Sequence, residues 1–320
     1  MTVTRWRWRW ATRWPASWSA LLSGALLLGG ALPAWPTQAH AQDLGDAELR
    51  TATEQLSDGS PEERARAADL LGRRGYDHRE TIVPLLRTRI REDRDWRVRA
   101  SSGRALGRLA ARDAVPDLVR ALRDPVVDVR VVAAAAIWRL PDPAAVPALL
   151  ELLRDREAAA RQWAALALGV IRDRRATQPL LTLLRDPEKD VRLDAIRSLG
   201  RLRDPGAVEQ LEGFVRDGDR DMDERLEAVN ALSALEGPEK VDALVRLIRF
   251  DDSQIRARAA QSLGRVGDAL SIPALRDRRA VERSSSVRTA IDAAIREIRD
   301  RQSGGAEGGG VPLNLPPMPE

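Results

Sequence analysis

The sequence predicts an all-α protein, a right-handed α-solenoid of about eight two-helix repeats preceded by an export leader. Three observations lead to this fold class. A phrase containing Arg recurs about every 32 residues, no segment alternates apolar and polar residues over a strand length, and the 320 residues hold no cysteine and few aromatic side chains. An interior built mainly from Leu, Ala, Val and Ile with this periodicity indicates stacked helices.

The first 41 residues have the three parts of a signal peptide. A mixture of Arg and Trp precedes an apolar run over residues 19–32, and Ala39 and Ala41 lie before Gln42. Small residues at these two positions suit signal peptidase, and the apolar run is shorter than the roughly 20 residues that span a membrane. We expect a Sec-type signal cleaved before Gln42, a periplasmic or extracellular protein, and no stable membrane span after cleavage.

The charge distribution argues against nucleic-acid binding. The chain has 52 basic and 48 acidic residues, but residues 1–41 contain four arginines and no acid, so the remainder has 48 of each. Neutralised phosphates supply much of the affinity for nucleic acids, and a chain with no net excess of base needs a strongly polarised surface to do so. We therefore expect no nucleic-acid partner.

The absence of cysteine excludes disulfides and thiolate metal sites.

The remaining chain repeats two short helical sequence motifs, which we call the first and the second phrase. The first is clearest at residues 191–202, where Val191, Ala195, Leu199 and Leu202 fall on one stripe of a helix. The second begins Ala-Val-Pro and continues with spaced leucines, as at residues 145–153. Proline suits a first helical turn because its missing amide hydrogen would have no partner there.

Asp-Pro pairs precede the first phrase in two copies. Asp186 and Asp124 each stand directly before a proline. This order predicts that each aspartate is the N-cap of the following helix and that the proline lies in its first turn.

Two short helices per unit cannot bury their apolar faces alone, so neighbouring units must stack. The pattern Val-Arg-x-x-Ala-x-x-x-Leu-Gly followed by Ala-Val-Pro-x-Leu resembles the HEAT-like repeat family of the phycobilisome-lyase type. The resemblance covers residues 57–301 and implies a solenoid of HEAT-like repeats. Residues 42–56 predict an N-terminal half-repeat helix, and residues 302–320 a disordered tail rich in Gly and Pro.

The family includes bilin lyase subunits and a di-iron hydroxylase that uses His-Glu pairs. After residue 41 the only histidine is His78, and Arg79 follows it, so the hydroxylase chemistry is excluded. The alternating aspartates of residues 217–223 suggest a calcium loop but lack its Gly and Glu. We expect no metal, no cofactor and no catalytic residues, with a low remaining probability of a lyase-like or accessory enzymatic role.

One arginine of the first phrase recurs in every unit. Bidentate Arg–carboxylate pairs suit repeat stacking, and acids such as Asp128 and Asp190 lie close in sequence. The pattern favours a structural Arg–Asp ladder over a row of ligand-binding arginines. The predicted ladder residues are Arg64, Arg99, Arg130, Arg161, Arg192, Arg225, Arg256 and Arg288.

In HEAT-like solenoids the helices of the first phrase line the concave surface, as the resemblance implies. Its middle repeats there carry an apolar centre with an arginine rim, the composition of a binding hot spot. The predicted partner-binding residues are Val131, Trp138, Trp163, Leu166, Val170, Leu193, Leu226, Arg104, Arg108, Arg139, Arg197 and Arg201. Trp138 stands out because five other repeats have Gly at its position. Alternatively, Trp138 and Trp163 fill space between adjacent helices.

Together these features predict an exported, non-catalytic scaffold or adaptor that binds a protein or peptide on its concave face. The alternative is an accessory subunit or an enzyme that acts on a small ligand or an envelope polymer. Acidic side chains converging in one deep pocket would favour that alternative over an open apolar groove.

Overall fold

The computed structural model describes residues 44–304, which form sixteen α-helices and contain no strand. The helices are α1 Asp46–Asp58, α2 Pro61–Arg74, α3 Arg79–Glu92, α4 Trp96–Arg108, α5 Val115–Ala121, α6 Val127–Arg139, α7 Val146–Leu152, α8 Ala158–Ile171, α9 Thr177–Thr182, α10 Lys189–Leu202, α11 Val208–Arg216, α12 Met222–Ala234, α13 Glu239–Leu247, α14 Ser253–Val266, α15 Ser271–Val281 and α16 Ser285–Gly304. The predicted all-α fold is confirmed.

The ends of the chain bear on two of the predictions. The predicted signal peptide and its cleavage residues Ala39, Ala41 and Gln42 lie outside the described residues, as does the tail from residue 305 onward. The last helix, α16, continues to Gly304, so its last three residues fall within the predicted tail.

The helices pack as eight consecutive pairs, each an odd-numbered helix followed by an even-numbered one. The predicted half-repeat helix is α1, which pairs with α2 and so completes the first unit. Proline falls in the first turn of α5 and α7, as predicted from the second phrase. A single core runs through all the pairs, and leucines such as Leu86, Leu118 and Leu149 are completely buried in it. Each contributes about 1.5–3 kcal/mol by leaving water.

The even-numbered helices also pack against one another along the chain, more extensively than the odd-numbered helices do. Glycine permits the close approach. A Cβ on Gly107 would lie 3.0 Å from that of Ala136 in the next even-numbered helix, and one on Gly169 would lie 2.9 Å from the Cα of Ser198. Because the more closely spaced row of a solenoid lies on the inside of its curve, we call the even-numbered helices the inner helices.

The N-cap prediction for Asp124 and Asp186 was wrong. Helix α6 begins at Val127 and α10 at Lys189, so each aspartate lies before the N-cap position. Each carboxylate instead accepts a hydrogen bond from the backbone N–H two residues later, on Val126 or Glu188. Its oxygens also receive the guanidinium of an arginine in the preceding repeat, which fixes the aspartate in the turn rather than at the helix end.

Candidate functional site

The recurring arginine of the inner helices joins successive repeats. Arg99 donates through Nε and Nη2 to the two carboxylate oxygens of Asp124, at 2.7 and 2.9 Å. Arg130 holds the backbone carbonyl of the same Asp124 at 2.9 Å and pairs with Asp155. The same bidentate pair joins Arg64 to Asp93, Arg161 to Asp186, Arg192 to Glu224 and Arg256 to Glu282.

The ladder partners are not the acids close in sequence that had been expected. Asp128 and Asp190 lie two residues before Arg130 and Arg192 and are exposed at the surface. A carboxylate on the same helix cannot occupy the turn of the next repeat, where the guanidinium points. For that reason the partner lies 25 to 32 residues later, as Asp155 does from Arg130 and Glu224 from Arg192.

Two of the eight arginines depart from this pattern. Arg225 donates to the carbonyl of Val215 at 2.7 Å and lies 5.5 Å from the ring centroid of Phe250. Arg288 lies in α16, beyond which the described chain has no further repeat to supply an acid. The ladder thus has six ion-paired steps within residues 44–304.

Two tryptophans meet between the inner helices α6 and α8. The rings of Trp138 and Trp163 lie edge to face, with centroids 6.2 Å apart and an interplanar angle of 75°. Trp138 occupies the register at which other inner helices have glycine against the next helix, so its ring lies between α6 and α8 rather than on an open surface. Both rings are half-buried and keep part of their surface in contact with solvent. We call Trp138, Trp163, Leu166 and Val170 the tryptophan patch.

The sequence overestimated how exposed these apolar residues are. Leu166 is buried, with 8% of its surface exposed. The other predicted apolar residues are half-buried: Val131, Trp138, Trp163, Val170, Leu193 and Leu226. Of these, Val131, Trp138, Trp163 and Leu226 pack against the core. The reason is the close approach of the inner helices, which encloses side chains that a single helix would present to solvent.

Two arginines of the inner helix α4, Arg104 and Arg108, lie beside the carboxylate of Asp69. Arg104 donates to Asp69 at 2.8 Å, and Arg108 Nη1 lies 3.7 Å from the same oxygen. Arg73 and Arg139 add positive charge that acts on Arg108. Burial lowers the pKa of the Arg108 guanidinium, and its Nη1 is buried with no hydrogen-bond partner among the described residues.

A second group on the other side of the patch is nearly balanced in charge. Arg197 lies between Glu227, at 3.0 Å, and Asp194, at 3.1 Å. Burial raises the pKa of Asp194, which also accepts a 2.7 Å hydrogen bond from Gln162. Arg201 Nη1 is buried and finds no hydrogen-bond partner in the described chain, and burial lowers the pKa of Arg201.

Repeat alignment shows why the basic residues do not form a continuous stripe. The residues that follow the Leu-Gly position of successive inner helices are Arg73, Arg108, Arg139, Val170, Arg201, Ala234, Arg265 and Glu297. An apolar residue, an alanine and an acid interrupt this row. Asp69, Gln162 and Asp194 were not predicted as site residues from the sequence. Asp69 could have been found, because it and Arg104 share one register position in neighbouring repeats.

The remaining sequence candidates have structural contacts. His78 is half-buried, and its Nε2 lies 3.1 Å from the carbonyl oxygen of Leu44. In the acidic stretch, Lys189 Nζ lies 2.8 Å from Asp221 and 2.9 Å from Asp223, so an ammonium group occupies the place between them. Residues 44–304 contain no cluster of three or more His, Asp or Glu side chains arranged to hold a metal ion. None of the helices described there is long and apolar enough to cross a membrane.

Comparison with protein families gives one result over most of the chain. The family described as HEAT repeats matches in five overlapping stretches, at residues 49–137, 122–194, 146–224, 177–256 and 217–296. No curated protein sequence matches the chain.

Three solved structures are similar to the chain. An engineered protein is 20% identical over 79% of each chain, with a TM-score of 0.52. YibA of Escherichia coli is 22% identical over 79% of this chain and 93% of its own, with a TM-score of 0.50. The complex of CpcE and CpcF of phycocyanin lyase from Nostoc is 23% identical over 84% of this chain and 100% of the matched chain, with a TM-score of 0.46. At these identities the similarity concerns the fold alone.

Proposed function

The chain belongs to the HEAT repeat family, and from this premise we propose that it is an exported, non-catalytic scaffold or adaptor that binds a protein or peptide partner on its inner helices. Solenoids of this kind present extended binding surfaces along their curvature. The observation that carries the proposal is the pair of half-buried tryptophans, Trp138 and Trp163, with the half-buried Arg108 and Arg201 on their two sides.

The composition of this surface matches what protein interfaces use for affinity. Trp and Arg are enriched among the few residues that carry most binding energy, because a large ring and a planar guanidinium lose little conformational freedom when covered. The free faces of Trp138 and Trp163 are small, so a partner would contact them with one or two apolar side chains. Arg108 and Arg201 are half-buried, and a partner would contact the exposed part of each side chain.

Two further points support a non-catalytic role. The one histidine of the described chain, His78, contacts the backbone of Leu44 and lies in the first repeats, away from the tryptophan patch on α6 and α8. The carboxylates beside the patch are each engaged by arginine, so none is arranged as a general base next to an open pocket.

The proposal of export rests on the leader sequence alone. It is tested by fractionating cells that express the chain with and without residues 1–41 and by sequencing the N terminus of the exported form. We expect that form to begin at Gln42.

The binding surface is tested by site-specific photocrosslinking in the native envelope. A photoreactive residue at position 138 is compared with one at position 120, an exposed position on the outer helix α5. A discrete product formed from position 138 and absent from position 120 supports the proposal. Equal and diffuse labelling from both positions contradicts it.

A second experiment separates a binding role of the two tryptophans from a packing role. The partner's affinity and the melting temperature are measured for Trp138→Ala and Trp163→Ala. We expect at least a tenfold loss of affinity with folding retained, as is typical of hot-spot aromatics. Loss of stability with unchanged affinity would assign both rings to packing between α6 and α8.

A further inference from the structure

The charge excess of the described chain lies in its last helix pair. Helices α15 and α16, within residues 271–304, contain eight arginines and five acidic residues, whereas residues 44–270 contain 40 basic and 40 acidic residues. The first seven pairs are therefore neutral as a whole. A positive charge confined to one end of a molecule directs that end toward an anionic surface.

Four of the eight arginines line one open cleft between α15 and α16. The cleft has a volume of about 540 Å³ and contains Arg276, Arg279, Arg296 and Arg299 beside a single acid, Asp292. Arg279 donates to Asp292 at 2.9 Å. The other three arginines are exposed and form no ion pair or side-chain hydrogen bond within the described chain. An anion can therefore reach their guanidinium groups directly from solvent.

The cleft lies at the free end of the solenoid. Arg296 has the register of Gly264, at which a Cβ would lie 3.1 Å from the Cα of Ala294 in the next inner helix. The described chain has no inner helix after α16, so Arg296 faces away from the other repeats. Arg288, the last ladder arginine, lies on the same helix and adds to this charge. We call the surface formed by α15 and α16 at this end the basic end face.

Two large apolar side chains are exposed at the ends of α15. Leu270, at its N-cap, and Val281, its last residue, keep 85% and 67% of their surface exposed. They are about three helical turns apart and so lie on the same side of α15. Among residues 44–304 the other large apolar side chains with such exposure are Tyr76 and Trp96, far along the chain. Exposed apolar side chains next to basic ones are typical of proteins that lie on an anionic lipid surface.

We propose that the basic end face docks onto a membrane surface that contains anionic phospholipids. The lipid phosphates bind Arg276, Arg296 and Arg299, whose planar guanidinium groups suit phosphate oxygens. Leu270 and Val281 enter the boundary between the head groups and the acyl chains. A nucleic acid would use the arginines but would leave the apolar pair without a role.

The proposal goes beyond the proposed function and does not depend on the protein partner. End-on docking leaves the tryptophan patch on α6 and α8 away from the lipid, because that patch lies several repeats before α15. A membrane-docked solenoid would therefore keep its inner helices available for the partner.

Co-sedimentation with lipid vesicles tests the proposal on the chain from residue 42 onward. Vesicles of phosphatidylcholine are compared with vesicles that also contain about 30% phosphatidylglycerol, at about 0.1 M and about 1 M salt. The charge variant is Arg296→Gln/Arg299→Gln. Its matched control, Arg154→Gln/Arg185→Gln, removes the same charge from exposed positions in the neutral part of the chain. Melting curves establish that each variant is folded.

The parent chain should sediment with the phosphatidylglycerol vesicles at low salt but not at high salt, because salt screens the attraction. Arg296→Gln/Arg299→Gln should weaken binding at least tenfold, since each basic residue at an anionic surface contributes about fivefold, and the control should change it less than about twofold. Leu270→Ser/Val281→Ser should weaken binding several-fold. Asp277 is an exposed acid between these two residues, so Asp277→Asn should strengthen binding about fivefold.

The proposal is overturned if the parent chain binds neither kind of vesicle, binds both equally, or loses as much binding in the control variant as in the charge variant. Unchanged binding of Leu270→Ser/Val281→Ser would also overturn it, because attraction by charge alone gives the apolar pair no role.

Two further outcomes would assign the cleft to another anion and overturn the lipid assignment. One is release of the protein from vesicles by about 10 mM inorganic phosphate at constant ionic strength, which indicates binding of free phosphate. The other is vesicle binding that appears only in Glu307→Gln/Glu320→Gln, which indicates that acids of the chain's own C-terminal tail neutralise the arginines. The protein partner is tested separately, by crosslinking from position 138.

Discussion

Arg99 and Arg108 lie nine residues apart on the same helix, α4, yet they differ in how their charge is compensated. Arg99 has both oxygens of Asp124 and two backbone carbonyls as acceptors. Arg108 has a buried Nη1 with no partner among the described residues and a pKa that burial lowers. Arg192 and Arg201 repeat this contrast on α10.

The contrast teaches that one residue type serves two roles at the two ends of the inner helices. At the ladder end, the guanidinium group of each ion-paired arginine joins the turn before its own helix to an acid of the next repeat, as in Arg99 and Arg130. At the other end, the close approach of glycine-containing helices buries arginines without supplying enough acceptors. Uncompensated buried donors cost free energy, about 1–3 kcal/mol each.

Breaking the ladder should have the largest effect. In Arg161→Met, the carboxylate of Asp186 remains with 4% of its side chain exposed and loses both guanidinium bonds. Leaving one buried charge without its partner should lower the free energy of unfolding by about 3–5 kcal/mol, measured by urea denaturation.

The matched control for the ladder is Arg154→Met. Arg154 is exposed and lies in the turn between α7 and α8, just before the helix that carries Arg161. It should change the free energy of unfolding by less than about 0.5 kcal/mol. The double variant Arg161→Met/Asp186→Asn should recover part of the loss because it removes the stranded charge. If Arg161→Met lowered the free energy of unfolding by less than about 1 kcal/mol, the ladder would contribute no more than a surface ion pair to stability.

Widening the contact between inner helices should have the next largest effect. In Gly169→Ala the new methyl group would lie 2.9 Å from Ser198 Cα, and backbone cannot move aside easily. Overpacking of this kind costs about 1–3 kcal/mol. Gly213→Ala on the outer helix α11 meets nothing within 4 Å and should instead stabilise the protein by about 0.5–1 kcal/mol. Thermal melts of both variants test the difference between the two rows.

Acid should weaken the ladder in a predictable window. Hydrogen bonds from Arg256 lower the pKa of Glu282 from 4.5 to about 2, with further help from the Ser284 N–H and Arg278. Because the folded pKa lies below the unfolded one, Glu282 stabilises the protein above pH 4.5, and this contribution is lost as the pH falls toward 2. The loss should be about 3 kcal/mol at most, since one pKa unit corresponds to about 1.4 kcal/mol.

Urea titrations at several pH values between 2 and 7 measure this effect. Glu282→Gln should be less stable at pH 7 and should show a flatter dependence between pH 4.5 and 2. An identical pH dependence of Glu282→Gln and the parent chain would show that other carboxylates dominate.

Removing an arginine from the other end should have the smallest effect on stability. Arg108→Met and Arg201→Met each remove a buried donor that has no partner in the described chain. We expect the free energy of unfolding to change by about 1 kcal/mol or less, with a gain as possible as a loss. Arg99→Met and Arg192→Met, on the same two helices, should cost several-fold more, as measured in the same urea titrations. Equal losses at both ends would remove the distinction between the two kinds of arginine.

Much of the fold could be predicted from the sequence, because every repeat has the same helical spacing of apolar residues. The recurrence of Arg99, Arg130 and Arg161 identified the arginine ladder, and the resemblance to HEAT-like repeats identified the inner helices. The acidic residues that pair with these arginines could not be assigned from the sequence. Asp155 lies 25 residues from Arg130, and only the stacking of one pair on the next brings them together.

The candidate site was predictable in composition but not in exposure. Trp138 stood out because it replaces a recurrent glycine, yet one helix viewed alone places that position toward solvent. The neighbouring helix α8 instead meets it with Trp163, and Leu166 becomes buried. Burial depends on the distance between helices, which glycines on several repeats determine jointly.

The sequence by itself determined the all-α class, the two-helix repeat and its stacking, because helical periodicity and the need to cover an apolar face are local properties of each unit. Only the tertiary structure decided which charges are compensated. Hydrogen bonds to Arg99 and the lack of them at Arg108 depend on atoms from neighbouring repeats, and electrostatic free energy is set by those distances and by burial rather than by position in the chain.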